Sequence, residues 1–111
     1  MVDDHSDTRE MLTQALTFCG AVVRDASSAH DAVALLVDVD VVITDLAMPE
    51  EDGVWLLGEV RRLPRRILVV ALTGIAAQHD KRLASAGFDR VILKPVDPFY
   101  LCELVEAALR E

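Results

Sequence analysis

The pattern of apolar runs along this 111-residue sequence predicts an α/β fold, a doubly wound parallel sheet with helices on both faces. Three observations carry that expectation. Hydrophobic residues make up 52% of the chain, enough to close one core over a single domain spanning 1–111. Short, continuous, β-branched apolar runs alternate five times with stripes at helical spacing. Four of the five runs also stop at a polar signature on their C-terminal side.

The elements follow in order. Met1-Val2 is a very short opening strand, and Met11, Leu12, Ala15, Leu16 and Cys19 form one face of a first helix. Ser6 or Asp7 is placed to cap that helix, and Gly20 to end it in the left-handed region. Ala21–Val23 reads as a second strand. Ser27-Ser28 then caps a second helix with Ala32, Val33, Leu36 and Val37 as its stripe. Val39–Thr44 has the composition of a strand buried on both faces. A loop holding Met48-Pro49 and Asp52-Gly53 leads into a third helix with Leu56, Leu57, Val60 and Leu63 inward. Ile67–Leu72 is the strongest strand, and a weakly striped fourth helix covers Ala77–Ala86 and stops at Gly87. Val91–Leu93 is the last strand, and Asp97-Pro98 starts a fifth helix that buries Leu101, Leu104, Val105 and Ala108.

Composition excludes several classes. A net charge of −8, from 19 acidic against 11 basic residues, argues against direct contact with nucleic acid. No apolar run approaches the ~20 residues of a membrane span, and Met1-Val2-Asp3-Asp4 does not open a signal peptide. Cys19 and Cys102 lack metal-ligand or CxxC spacing and read as reduced packing residues of a cytoplasmic protein. His30 and His79 have no ligand partner in sequence; His5, beside the acid pair, is placed to be a ligand but reads rather as an exposed loop residue. Arg61, Arg62, Arg65 and Arg66 read as a solvated helix end.

The functional signal lies where the strands stop: at Asp3-Asp4, Asp45, Thr73-Gly74 and Lys94-Pro95. In an open parallel sheet those residues share the edge at which ligands bind. Two carboxylates ~4 Å apart repel by about 4 kcal/mol at an effective dielectric near 20, so three of them call for a cation. All-oxygen ligands in an accessible site suit Mg²⁺. A carboxylate beside such an ion can attack phosphorus, with a lysine and a hydroxyl on the phosphoryl oxygens.

Val2-Asp3-Asp4, Asp45-Leu46-Ala47-Met48-Pro49, Asp52-Gly53, Leu72-Thr73-Gly74, Ala86-Gly87-Phe88-Asp89 and Lys94-Pro95 occur in the order and spacing of a known family. Over essentially its whole length the chain resembles the receiver domain of two-component response regulators. The resemblance implies a flavodoxin-like five-stranded sheet of order 2-1-3-4-5 with five helices. It implies Asp45 as phosphoacceptor, with Thr73 and Lys94 on the phosphoryl group. Mg²⁺ would be held by Asp3, Asp4, Asp45 and the backbone carbonyl of Ala47. The partner would be a sensor histidine kinase or a histidine phosphotransfer protein, and the Lys94-Pro95 bond would be cis. Phosphorylation would switch the surface of the fourth helix, fifth strand and fifth helix. Such a domain is not an enzyme beyond self-phosphorylation and slow self-dephosphorylation at Asp45. The segment Ala86–Pro98 is most similar to receivers at the C-terminus of hybrid sensor kinases.

Three departures stand out. The first strand is cut short, which leads us to expect that the natural chain begins upstream. Val91 occupies the place of the family's switch aromatic. Gly74 replaces a common alanine. Val91 and the clipped first strand favour a rival reading, a pseudo-receiver that serves as a phosphorylation-independent interaction module, whereas the complete set of Asp3, Asp4, Asp45, Thr73 and Lys94 argues against it. A Mg²⁺-dependent phosphatase with an aspartyl nucleophile ranks last, because no cap segment is visible. The Phe99/Tyr100 side offers a surface for a homodimer.

Overall fold

The computed structural model describes residues 1–74 and 81–110. The most apolar run forms the middle of the sheet. Strands β1 (Val41–Asp45), β2 (Leu68–Thr73) and β3 (Arg90–Leu93) lie side by side in that order, all parallel. Val41 is level with Leu68 and Asp45 with Leu72, while Val70 is level with Arg90 and Thr73 with Leu93. Neighbours on both sides bury Val69–Leu72 completely, as a continuous apolar run in a parallel sheet requires.

Beyond β1 the sheet thins. Val2 makes single parallel bridges to Thr44 on one side and Ala26 on the other. The Val2 N–H donates to the Ile43 carbonyl at 2.8 Å, the Asp45 N–H to the Val2 carbonyl at 2.8 Å, and the Asp3 N–H to the Ala26 carbonyl at 3.2 Å. The spatial order of the extended segments is the expected 2-1-3-4-5. Among the described residues, however, only three segments are strands, so the expected five-stranded sheet is corrected to three strands and two bridged segments. Ala21–Val23, expected as the second strand, is not a strand; the bridge on that side is made at Ala26, and Val22 is 98% exposed. A cleft of about 380 Å³ lies there, between Ala21–Arg24 and Val39–Ile43.

Helices α1 (Ser6–Phe18) and α5 (Pro98–Leu109) cover one face of the sheet. Leu12, Leu16, Leu101 and Val105 pack there with Ile43, Val70 and Leu72. Helices α2 (Ala29–Val33) and α3 (Gly53–Arg61) cover the other, setting Ala29, Ala32, Leu56 and Val60 against Val42 and Val69. Alternate strand residues thus feed opposite cores, the period-2 geometry of a strand buried on both sides. Helix α4 is described over Arg82–Ala86, and the expected start at Ala77 lies outside the described residues.

Local chemistry sets the helix ends. Ser28, Asp52 and Asp97 accept hydrogen bonds from the N–H groups of Asp31, Trp55 and Phe99 at 3.1, 3.0 and 2.9 Å. Gly20 and Gly87 take the left-handed conformation, at φ +98° and +94°. Two expectations are corrected. Helix α1 is capped by His5 rather than Ser6 or Asp7, with no side-chain cap bond. Helix α2 ends at Val33, short of the expected Leu36 and Val37; Val33 and Val37 are exposed, while Ala29 and Ala32 of the helix and Leu36 after it are buried. The Lys94-Pro95 bond is cis, as the resemblance implies.

Two further readings change. Cys19 and Cys102 are not separate packing thiols: they form a disulfide with Cα atoms 6.3 Å apart, linking the residue after α1 to α5. Their separation of 83 residues hides a contact created only when both helices pack on one face. Two of the four arginines at the end of α3 and after it are not simply solvated. Arg61 donates to the carbonyls of Ile67 and Gly87 and pairs with the Asp89 carboxylate at 2.9 Å, and Arg65 donates to the Val39 carbonyl. The Asp89 carboxylate also accepts the Val69 N–H at 2.7 Å.

Burial alone would raise the Asp89 pKa, but the Val69 N–H and the Arg61 guanidinium outweigh it and hold the carboxyl below the ordinary range. A depressed folded pKa contributes stability that is present above about pH 4 and lost as pH falls through the folded value. Asp89→Asn is therefore expected to destabilise the fold by about 1–3 kcal/mol at neutral pH. That deficit should shrink in denaturant titrations below about pH 4. For the cysteine pair, unreduced folded protein should resist thiol alkylation until a reductant is added. Reduction should then lower stability by up to about 4.5 kcal/mol on the loop-entropy account.

Candidate functional site

The sheet register brings the strand ends together. Asp45 closes β1, Thr73 closes β2 level with Leu93, and the Lys94 N–H donates to the Thr73 carbonyl at 2.8 Å. The bridges of Val2 set Asp3 and Asp4 beside Asp45. Arg9, one turn into α1, reinforces that thin side by donating to the Asp3 carbonyl at 2.8 Å while pairing with Asp25 at 3.1 Å.

Asp3 is fully buried and Asp45 nearly so, at 5% exposure. The Lys94 ammonium lies between them, 3.2 Å from Asp45 Oδ1 and 3.3 Å from Asp3 Oδ2. Burial raises the Asp45 pKa above the ordinary carboxylate range; Asp3 and Asp4 add to the rise and Lys94 opposes it. Burial works against the Lys94 charge, yet Asp45 and Asp3 overcome it and raise the Lys94 pKa. Burial is thus the largest influence on both groups, and the charges beside them decide the direction only for Lys94.

The donor set fits a divalent cation. Asp3, Asp4, His5 and Asp45 each offer a ligand atom, all within 4.8 Å of one another. Opposite oxygens around Mg²⁺ stand about 4.2 Å apart, close to that spread. Asp4 Oδ1 is moreover buried without a hydrogen-bond partner, an orphaned acceptor that a cation would satisfy.

Of the residues singled out in the sequence, Asp3, Asp4, Asp45 and Lys94 converge directly. Thr73 stands at the next strand end, 2% exposed, with its hydroxyl donating to the Gly74 carbonyl at 3.2 Å. Ala47 sits in the exposed turn two residues beyond Asp45. His5, read as a plain loop residue, instead joins the cluster, its Nδ1 3.4 Å from Asp3 and 3.3 Å from Asp4. Adjacency to the acid pair was the one signal that pointed to it. Val91 is 45% exposed, and Phe99 and Tyr100 are 77% and 50% exposed on α5.

Gly53 has a positional reason absent from the sequence. It opens α3, and a Cβ there would lie 2.8 Å from the Asp45 carbonyl oxygen and 3.1 Å from the Leu46 Cα. The helix start is pressed against the backbone that carries Asp45. Its neighbour Asp52 caps α3 and pairs with Arg82 of α4 at 2.7 Å.

Residues 1–106 match the sequence profile described as the response regulator receiver domain. An uncharacterised 14.6 kDa protein from Leptolyngbya boryana is 40% identical over 96% of this chain and 85% of its own length. Sensor histidine kinase RcsC of Salmonella typhimurium is 33% identical over 86% of this chain, which spans 10% of that kinase. Among solved structures, a response regulator receiver domain protein from Clostridium thermocellum superposes with a TM-score of 0.88. It is 28% identical and matches 98% of this chain and 90% of its own. No helix among the described residues is long and apolar enough to cross a membrane.

Gly53→Ala is expected to destabilise the fold by about 1–3 kcal/mol, because backbone rather than a flexible side chain must yield. It should also displace Asp45, read as shifted Asp45 backbone resonances beside a lowered unfolding midpoint.

Proposed function

Because this chain belongs to the response regulator receiver family, a component of two-component signal transduction, we propose that Asp45 accepts a phosphoryl group from a phosphohistidine partner. Residues 1–111 act on this reading as one receiver unit in the cytoplasm. The observation that carries the proposal is the placement of Lys94 between two buried carboxylates, one of them at the end of β1.

Asp45 presents a carboxylate oxygen to phosphorus. An O–P bond forms as the N–P bond to the donor imidazole breaks; with a proton from solvent already on its other ring nitrogen, the donor leaves as neutral imidazole. Once phosphorylated, Asp45 no longer needs Lys94 as a carboxylate partner, and the ammonium is free to pair with a phosphoryl oxygen. The Thr73 hydroxyl, now spent on the adjacent Gly74 carbonyl, is free to rotate and donate to another oxygen. Asp3, Asp4, Asp45 and the Ala47 carbonyl would hold Mg²⁺, which supplies neutralisation of the charge gathered on the transferring group.

The partner is a sensor histidine kinase or a histidine phosphotransfer protein, and the output is a changed protein-interaction surface around α4, β3 and α5. A homodimer through Phe99 and Tyr100 would use the exposed apolar part of that surface. The domain turns over no external substrate. Its only chemistry is its own phosphorylation and slow dephosphorylation.

A second reading, the pseudo-receiver, is favoured by one observation. Val91 stands on the exposed side of β3 with no ring to follow Thr73 inward.

The test is the intact mass of folded protein after incubation with a small acyl-phosphate donor and Mg²⁺. One labile phosphoryl group is expected, absent in Asp45→Asn and in a chelated sample. A folded chain that gains no adduct would establish the pseudo-receiver instead.

A further inference from the structure

The acid cluster contains one group that is not an oxygen donor. His5 is the residue before α1, and its backbone N–H donates to Asp3 Oδ1 at 2.9 Å. That bond fixes the chain so that the imidazole stands over the acid pair. Nδ1 lies 3.4 Å from Asp3 Oδ1 and 3.3 Å from Asp4 Oδ1, both longer than an ordinary N–H···O hydrogen bond. The ring is therefore near both carboxylates without being well bonded to either. Its side chain is 70% exposed, so it forms the solvent-side wall of the cluster. The atom it approaches most closely, Asp4 Oδ1, is the buried oxygen left without a partner.

A nitrogen at this place changes what the cluster selects. Three carboxylates alone match the hard-cation preference for oxygen and water. Neutral imidazole adds little for Mg²⁺ but much for later first-row divalent ions, whose affinity for nitrogen rises from Mn²⁺ through Co²⁺ and Ni²⁺. The geometry points to His5 as a further protein ligand of this site, which makes the chain prefer a divalent transition ion such as Co²⁺ or Mn²⁺ over Mg²⁺. The inference rests on the reading of the acid cluster as a cation site, and extends it from whether an ion binds to which ion binds. His5 acts here as a specificity-determining residue. Asp3, Asp4 and Asp45 supply affinity for any divalent ion, and the imidazole discriminates among them.

The experiment titrates the purified chain with CoCl₂ and separately with MgCl₂ by calorimetry, following the visible absorption of Co²⁺ in parallel. His5→Ala, His5→Gln, Asp4→Asn and His30→Ala are run beside it, each checked for folding by circular dichroism. The unmodified chain is expected to bind Co²⁺ at least about tenfold more tightly than Mg²⁺. His5→Ala and His5→Gln should lose about tenfold or more for Co²⁺ and shift its absorption, with Mg²⁺ affinity nearly unchanged. His30→Ala should alter neither ion, and Asp4→Asn should weaken both.

Co²⁺ binding that is as tight without the imidazole as with it would overturn the assignment of His5 while leaving the cation site intact. Equal losses for Co²⁺ and Mg²⁺ in the His5 variants would overturn it too, by making His5 a positioning residue of the acid pair. Failure of the unmodified chain to bind either ion would instead sink the underlying reading of the cluster, and the role of His5 with it.

Discussion

Everything at the C-terminal edge of this sheet depends on placing one ammonium between two buried carboxylates. Asp3 and Asp45 have almost no contact with water, and together with Asp4 they repel one another. Lys94 is the counter-charge, 3.2–3.3 Å from both buried acids. It can serve only if β3 ends in register with β2, which the bond from the Lys94 N–H to the Thr73 carbonyl fixes. β3 itself is an edge strand with little burial to hold it: Arg90, Val91 and Leu93 are exposed. Charged groups anchor it at both ends instead. Asp89 bonds to the Val69 N–H and Arg61 at the start, and Lys94 to Asp3 and Asp45 at the finish. The arginine clamp, far along the chain from the acids, thus belongs to the same construction. It fixes where β3 begins, and so where Lys94 arrives.

The edge was legible in the sequence because a buried parallel strand must stay apolar until it leaves the core. Asp45, Thr73 and Lys94 are conspicuous as the first polar residues after such runs, and the structure puts them at adjacent strand ends. Helices were legible where a polar cap met a stripe, as at Ser28, Asp52 and Asp97. What failed had no local signature. Ala21–Val23 has strand composition, but the contact with the sheet on that side is made further on, at Ala26. Cys19 and Cys102 meet because α1 and α5 share a face, a fact of topology rather than of spacing. Arg61 and Arg65 look like surface cations until the carbonyls they cap are seen. His5 was read correctly as exposed, but exposure says nothing of what a ring leans over.

The acid cluster spans two parts of the molecule that are built differently. Asp45, Thr73 and Lys94 sit on a three-stranded ladder over two filled cores. Asp3 and Asp4 hang from Val2, which holds the sheet by single bridges beside a cleft of about 380 Å³. Arg9 supplies from α1 part of what the ladder lacks there, gripping the Asp3 carbonyl and Asp25 together. Any group that engages Asp45 on one side and Asp3 or Asp4 on the other joins the thin part to the firm one. Lys94 already does so. A shared cation would do the same, and because such an ion binds only the assembled cluster, its free energy of binding stabilises the fold by linkage. In this chain the chemistry of the site and the cohesion of the sheet's thin side therefore draw on the same few contacts.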